Sequence, residues 1–219
     1  VITSMSASLV VLRGAVPEGT VYRLERGRHS VGRTGDIAFP NDASLDEDHV
    51  AFEFDGDNLT IVDVPGDSGC FRRLRAEQQV ESGDVVFAGE QYLIVRDGAD
   101  VESDEEVPAD PPPETFGTPL PPPVVHVTQL IGNGLPGRVA STDRNALTIG
   151  REGCDLSFPQ DRFMSGRHLR IESQGHQLRV VDVGSLNGTF TRVIEMPTTL
   201  DAGDEIMIGS LLFRVDMHV

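Results

Sequence analysis

The chain alternates apolar and polar residues in short bursts. LTIVDV (59–64), VVFAG (85–89) and YLIVR (92–96) do so in its first half. LRIES (169–173), LRVVDV (178–183), EIMIG (205–209) and LLFRV (211–215) do so in its second. A period of two puts every second side chain on one face of a strand. Gly, Asp and Asn cluster between the bursts, and strands at this spacing predict a sandwich or barrel. No segment keeps a helical period for three turns. The fold class is all-β. GSLNGTF (184–190) places Asn-Gly between β-prone residues, the strongest short-range hairpin signal, because a type I′ turn needs φ > 0 at both positions.

The pattern occurs twice. SVGR (30–33) matches TIGR (148–151), and DIAFPND (36–42) matches DLSFPQD (155–161). His49 matches His168, Asp63 matches Asp182, Phe71 matches Phe190, and SGDVVFAG (82–89) matches AGDEIMIG (202–209). So long a period means duplicated domains rather than a solenoid. Between the copies lies ADVESDEEVPADPPPETFGTPLPPP (99–123), with seven acids, eight prolines and no base. Such a tract reads as an extended linker that repels itself. The expected domains are therefore 1–98 and 124–219, joined by 99–123.

Charge narrows the function. There are 35 acidic and 18 basic residues, a net charge of −17, and every basic residue is Arg. Non-specific binding to nucleic acid or anionic membrane is not expected of such a chain. Without Lys, neither a Walker A phosphate loop nor Schiff-base chemistry is available. No apolar run approaches the ~18 residues of a membrane span. The opening VITSMSAS does not read as a signal peptide, and starting on Val suggests a fragment. Cys70 and Cys154 lie far apart and form no CxxC, which reads as two free thiols in a reducing cytoplasm. The histidines show no metal-ligand spacing, so neither metal nor cofactor is expected.

Three blocks in the second copy carry a family resemblance: Gly150-Arg151, then Ser165-Gly166-Arg167-His168, then Ser185-Leu186-Asn187-Gly188-Thr189. In this order and spacing they resemble the forkhead-associated (FHA) domain, a phosphothreonine-binding module, and the whole chain resembles a bacterial-type tandem. The resemblance implies two eleven-stranded β-sandwiches, with ligand held on loops at one end. It implies that Arg151, Ser165, Gly166, Arg167 and Asn187 meet a phosphopeptide, and that Gly150, His168 and Gly188 support the loops. The chemistry fits. A phosphothreonine carries about −1.5 to −2 charges and three acceptor oxygens. Arg151 offers a planar, permanently charged fork. The Ser165 hydroxyl and loop N–H groups can donate, and the Asn187 amide can both donate to and accept from a peptide main chain. Arg167 is either a surface charge or a contact for acidic ligand residues. Some family members carry a polar side chain after the serine and a hydroxyl before the asparagine; here Gly166 and Leu186 stand there.

The first copy keeps Gly32-Arg33 and His49 and loses the rest. Ser165 aligns with Asp46, Gly166 with Glu47, Arg167 with Asp48, Ser185 with Gly66, Asn187 with Ser68 and Thr189 with Cys70. A carboxylate beside a phosphate repels it by several kcal/mol at ~4 Å in a protein-like dielectric. The expectation is a degenerate copy that no longer binds phosphothreonine, with Asp46 available to pair with Arg33. Together these readings give a non-catalytic cytoplasmic adaptor whose second copy docks a threonine-phosphorylated protein of a Ser/Thr kinase pathway. Thr115 or Thr118 in the linker could serve as ligand for a second molecule and give self-association. The alternative is a phosphate-independent scaffold or oligomerisation protein. An enzyme reading rests on GDSGC (66–70), which resembles a chymotrypsin-like nucleophile loop but fails where Gly-Pro should follow.

Overall fold

The computed structural model describes residues 6–64, 69–100, 124–175 and 177–218. Their strands fall into four consecutive blocks. The first holds β1 (Ser6–Arg13), β2 (Val21–Leu24), β3 (Gly27–Gly32), β4 (Ile37–Ala38), β5 (Val50–Phe54), β6 (Leu59–Asp63) and β7 (Cys70–Arg73). The second holds β8 (Glu77–Val80), β9 (Val85–Ala88) and β10 (Gln91–Asp97). The third holds β11 (Val125–Ile131), β12 (Leu135–Thr142), β13 (Ala146–Gly150), β14 (Leu156–Ser157), β15 (Leu169–Gln174) and β16 (Gln177–Asp182). The last holds β17 (Thr189–Arg192), β18 (Thr198–Leu200), β19 (Glu205–Ile208) and β20 (Leu211–His218). The alternation seen in sequence sorts side chains as expected: along β16, Leu178 and Val180 are buried while Gln177 and Arg179 are exposed.

The blocks combine crosswise. One compact unit joins Val1–Arg73 to Phe190–Val219, and the other is Leu74–Thr189. This differs from the boundaries at 98 and 124 expected of two contiguous repeats. In unit 1 the strand order β7-β19-β20-β1-β2 faces β18-β6-β5-β3-β4. The core between them mixes first-repeat residues such as Leu9, Phe52 and Ile61 with last-block residues such as Ile206, Phe213 and Val215. Leu9 stands opposite Val215 and Phe71 opposite Met207 in the ladders. In unit 2 the order β12-β11-β10-β9 faces β14-β13-β15-β16-β8. Its core sets Val86, Leu93 and Val95 of the first repeat against Leu147, Ile149 and Ile171 of the second. Burying one such side chain contributes roughly 1.5–3 kcal/mol, so each unit draws a large share of its stability from the other repeat.

The physical reason for the difference lies in the duplication itself. Val86, Phe87 and Ala88 occupy the positions that Ile206, Met207 and Ile208 occupy in the other copy, so either segment fits either sandwich. The expectation of eleven strands gives each repeat a sandwich of its own in one contiguous piece; here each sandwich is shared between repeats. The 99–123 tract, with Thr115 and Thr118, lies outside the described residues beyond Asp100. GSLNGTF also departs from the hairpin reading. β16 pairs with β15 and β8, whereas β17 pairs with β7, so this segment links strands of different sheets.

Candidate functional site

Three segments of unit 2 meet at one end of its sandwich. β13 ends at Gly150, and the following Arg151 N–H donates to Ser165 O at 2.8 Å. Gly150 is dictated by this approach: a Cβ there would collide with the Gly166 carbonyl. The second segment turns at Ser165, whose N–H donates to His168 Nδ1 at 3.1 Å. His168 is fully buried, and its Nε2 reaches Gly188 O in the third segment at 3.0 Å. Accepting at Nδ1 and donating at Nε2 fixes the neutral tautomer. Burial lowers its pKa, outweighing the Gly188 carbonyl and the nearby Asp182 and Asp161 carboxylates that act the other way. His168 thus joins two loops with one ring.

Two further bonds close the loops on each other. Leu186 N–H donates to Ser165 Oγ at 3.1 Å, and Asn187 Nδ2 donates to Phe163 O at 2.7 Å. The Ser165 hydroxyl accepts here, so its own proton stays free to donate. Asn187 Oδ1 and the second amide hydrogen likewise make no further bond among the described residues. Arg151, Arg162 and Arg167 are exposed and form no ion pair among the described residues. On a chain of net charge −17, the segments that meet here carry three arginines without an ion pair among the described residues. Arg151, Ser165, Gly166, Arg167 and Asn187 are all carried by these joined loops. Gly166 has open space where a Cβ would stand, so packing does not require glycine there. Leu186 is 85% exposed at the tip.

Sequence reasoning missed the residue that shapes the third segment. Asp182 Oδ1 accepts from the Gly184 and Ser185 N–H groups at 2.9 and 2.8 Å. Its Oδ2 accepts from the Ser185 and Thr189 hydroxyls, both at 2.6 Å. Ser185 Oγ in turn accepts from Gly188 N–H at 3.0 Å. The signal was present as a carboxylate with hydroxyls three and seven residues later. Burial raises the Asp182 carboxyl pKa, but these hydrogen bonds outweigh it, and the net shift is below the ordinary value. A depressed folded pKa gives stability that is present above the unfolded value and lost as pH falls through the folded one. Asp182→Ala should destabilise unit 2 by roughly 2 kcal/mol, since bonds to a charged acceptor contribute ~1.5–3 kcal/mol each and water replaces part of them. Asp182→Asn should cost less, because the amide can still accept from N–H groups and donate to hydroxyls. Denaturant melts at pH 7 check both, and the gap between wild type and Asp182→Ala should narrow toward pH 3.

Unit 1 keeps the frame of this site with other chemistry. Asp46 N–H donates to His49 Nδ1 at 3.1 Å, and His49 Nε2 reaches Gly69 O at 2.9 Å, repeating the Ser165–His168–Gly188 arrangement. The expected Arg33–Asp46 pair does not form. Arg33 is exposed, whereas Asp46 Oδ2 lies 3.7 Å from His49 Nδ1 and has no hydrogen-bond partner. The carboxylate turns inward along its own loop rather than out to the guanidinium. Asp63, aligned with Asp182, pairs instead with Arg28 at 3.1 Å, since Gly66 and Cys70 supply no hydroxyls. For the nucleophile-loop reading, Ser68 lies outside the described residues. Both His49 ring nitrogens are taken by main-chain groups, and burial pushes the Cys70 thiol up to about 12. Among the described residues, no group of His, Cys, Asp and Glu could hold a metal ion, and no helix is long and apolar enough to cross a membrane.

Residues 147–209 match the model of the FHA domain family. That match runs across the division between the two compact units at 189 and 190. Two curated relatives align over 68 residues, 31% of this chain. The oxoglutarate dehydrogenase inhibitor of Corynebacterium jeikeium is 41% identical over 47% of its length. The glycogen accumulation regulator GarA of Mycolicibacterium smegmatis is 37% identical over 43% of its length. The chain thus spans less than half the length of these relatives. A solved structure described by its phosphothreonine-dependent FHA interactions is 30% identical, with 40% of this chain and 90% of that one covered, at a TM-score of 0.24.

Proposed function

We propose that the FHA domain of this chain binds threonine-phosphorylated partners and works as a non-catalytic adaptor in a cytoplasmic Ser/Thr kinase pathway. One observation carries this reading: Ser165 and Asn187 are held on loops tied to each other beside exposed, unpaired Arg151. Such a preformed site loses little conformational freedom when ligand arrives. Arg151 would grip two phosphate oxygens, and Ser165 Oγ would donate to another. The Gly166 N–H and Arg167 would face the phosphate and the acidic flanks of the peptide. Asn187 would clamp the peptide main chain with the amide atoms that Phe163 leaves free. The matched relatives, named as an inhibitor and a regulator, support a binding protein over an enzyme. Unit 1 would follow the same FHA-like plan without phosphothreonine binding, because Asp46 replaces the hydroxyl donor of Ser165 with an acceptor and adds negative charge to the loop that contacts the Arg33 main chain.

Titration of the full chain with a phosphothreonine peptide, its phosphoserine counterpart and the unphosphorylated peptide tests the reading. Binding should be micromolar, with a Kd of ~1 μM corresponding to about −8 kcal/mol. The other two peptides should bind far more weakly. Equal binding of the unphosphorylated peptide would instead favour the phosphate-independent scaffold.

A further inference from the structure

The first repeat has lost the chemistry of its own phosphate site, yet it lies within reach of the intact one through the strands it lends. Residues 74–97 belong to unit 2. There Val80 stands opposite Leu178, Val95 opposite Val127, and the side chains of Val86 and Leu93 fill the core. The lent segment also makes a polar contact that leads to the ligand loops. Glu90 N–H and Gln91 Nε2 both donate to Asp161 Oδ2 at 2.8 Å. Asp161 is 3% exposed, and its Oδ1 accepts from the N–H groups of Phe163 and Met164 at 2.9 and 3.0 Å. The Phe163 carbonyl then accepts from Asn187. Gln129 Nε2 holds Gln91 from the other side, at 2.6 Å from its Oε1. Gly89 fits this approach with φ +62°, where an added Cβ would come within 2.6 Å of the Asp161 carboxylate. In unit 1 the loan is returned: Ser210 of the last block donates through its hydroxyl to Asp42, the counterpart of Asp161, at 2.6 Å.

We propose that the first repeat is a working part of the phosphothreonine site, as strand donor and brace. Its residues 74–97 complete the sandwich that presents the site, and Gln91 is a positioning residue that acts through Asp161 and Phe163 on Asn187. The brace rests on the phosphothreonine reading; the strand exchange does not. This gives the degenerate copy a role that requires no ligand of its own. It also makes the two repeats one obligate unit, although their matched core positions would let each close on itself.

Disulfide trapping separates the two arrangements without any ligand. Gln79 and Arg179 are directly opposite in the exchanged ladder, whereas closed repeats would set Gln79 against Thr60. Opposite strand positions bring Cβ atoms close enough for a disulfide. In a Cys154→Ser chain with a protease site placed in the linker, Gln79→Cys with Arg179→Cys should oxidise and keep the two cleaved halves joined on a non-reducing denaturing gel. Gln79→Cys with Thr60→Cys should leave the second half free and form no internal bridge. The reverse result overturns the exchange. The brace is read by peptide titration of the full chain. Gln91→Ala should weaken phosphothreonine-peptide binding 3- to 10-fold with an unchanged melting temperature. Gln91→Glu, which sets a carboxylate against Asp161, should weaken it further. Unchanged affinity in both variants overturns the positioning role. If the wild-type chain itself binds no phosphothreonine peptide, the brace falls with that reading, while the disulfide result still decides the exchange.

Discussion

Replacing Arg151 by Ala should reduce affinity for a phosphothreonine peptide by two decades or more, and replacing Arg33 by Ala should leave it unchanged. Both arginines follow the glycine that ends a strand, and both N–H groups donate to the residue-165 or residue-46 carbonyl at 2.8 Å. Their backbones are therefore placed alike. What differs is the loop beside them. The loop that meets Arg151 carries Arg162 and Arg167, unpaired among the described residues. Around Arg33 stand Asp46, Glu47 and Asp48. Loss of one charge-assisted bond costs ~1.5–3 kcal/mol, and a guanidinium that grips two oxygens loses two such bonds. With a decade in Kd for each ~1.4 kcal/mol, two to four decades follow. Because Arg151 is exposed, the variant should fold with unchanged stability, so calorimetric titration reads binding alone. A large effect at Arg33 would show that unit 1 still holds phosphate.

Ser165→Asp should abolish binding while leaving the fold intact, a stronger effect than Ser165→Ala. The protein carries the control for this variant within itself. In unit 1 an aspartate occupies the same place, and its N–H still donates to the buried histidine at 3.1 Å. The main chain therefore accepts the substitution. Ala removes one hydroxyl donor and should cost about one decade, the loss of a single bond to a charged group. Asp removes the donor and adds a charge of the phosphate's own sign at ~4 Å, which costs several kcal/mol more in a protein-like dielectric. An unchanged melting temperature together with no measurable heat of peptide binding is the expected pair of results. Full binding by Ser165→Asp would show that an aspartate at this place does not prevent phosphopeptide binding.

The residues of the proposed site are legible in the amino-acid sequence as a motif. Gly150, Ser165, His168, Asn187 and Gly188 stand out in the sequence through their resemblance to the FHA motif, and the structure carries them on loops joined by hydrogen bonds. Asp182 does not stand out as a site residue although its hydroxyl partners lie three and seven positions on. A carboxylate in a polar turn has many ordinary uses, and only the folded chain brings four donors together on it. The inward turn of Asp46 is also hidden, since sequence names the nearest opposite charge but not the rotamer that packing allows.

The sequence by itself determined the all-β class, the faces of the strands and the repeated pattern, and it shows which copy carries the Arg, Ser and Asn of the proposed site. Those follow from period-two burial and from the identity of residues within one loop, and both are short-range properties. Only the tertiary structure decided which repeat completes which sandwich. Alternation says which face of a strand is buried, not which strand lies beside it. Val86-Phe87-Ala88 and Ile206-Met207-Ile208 present equivalent apolar faces, so hydrophobic matching alone leaves partner choice open. The exchange is expressed in contacts between residues far apart in the chain, such as Gln91 with Asp161 and Asp42 with Ser210, where polar geometry and backbone register act together.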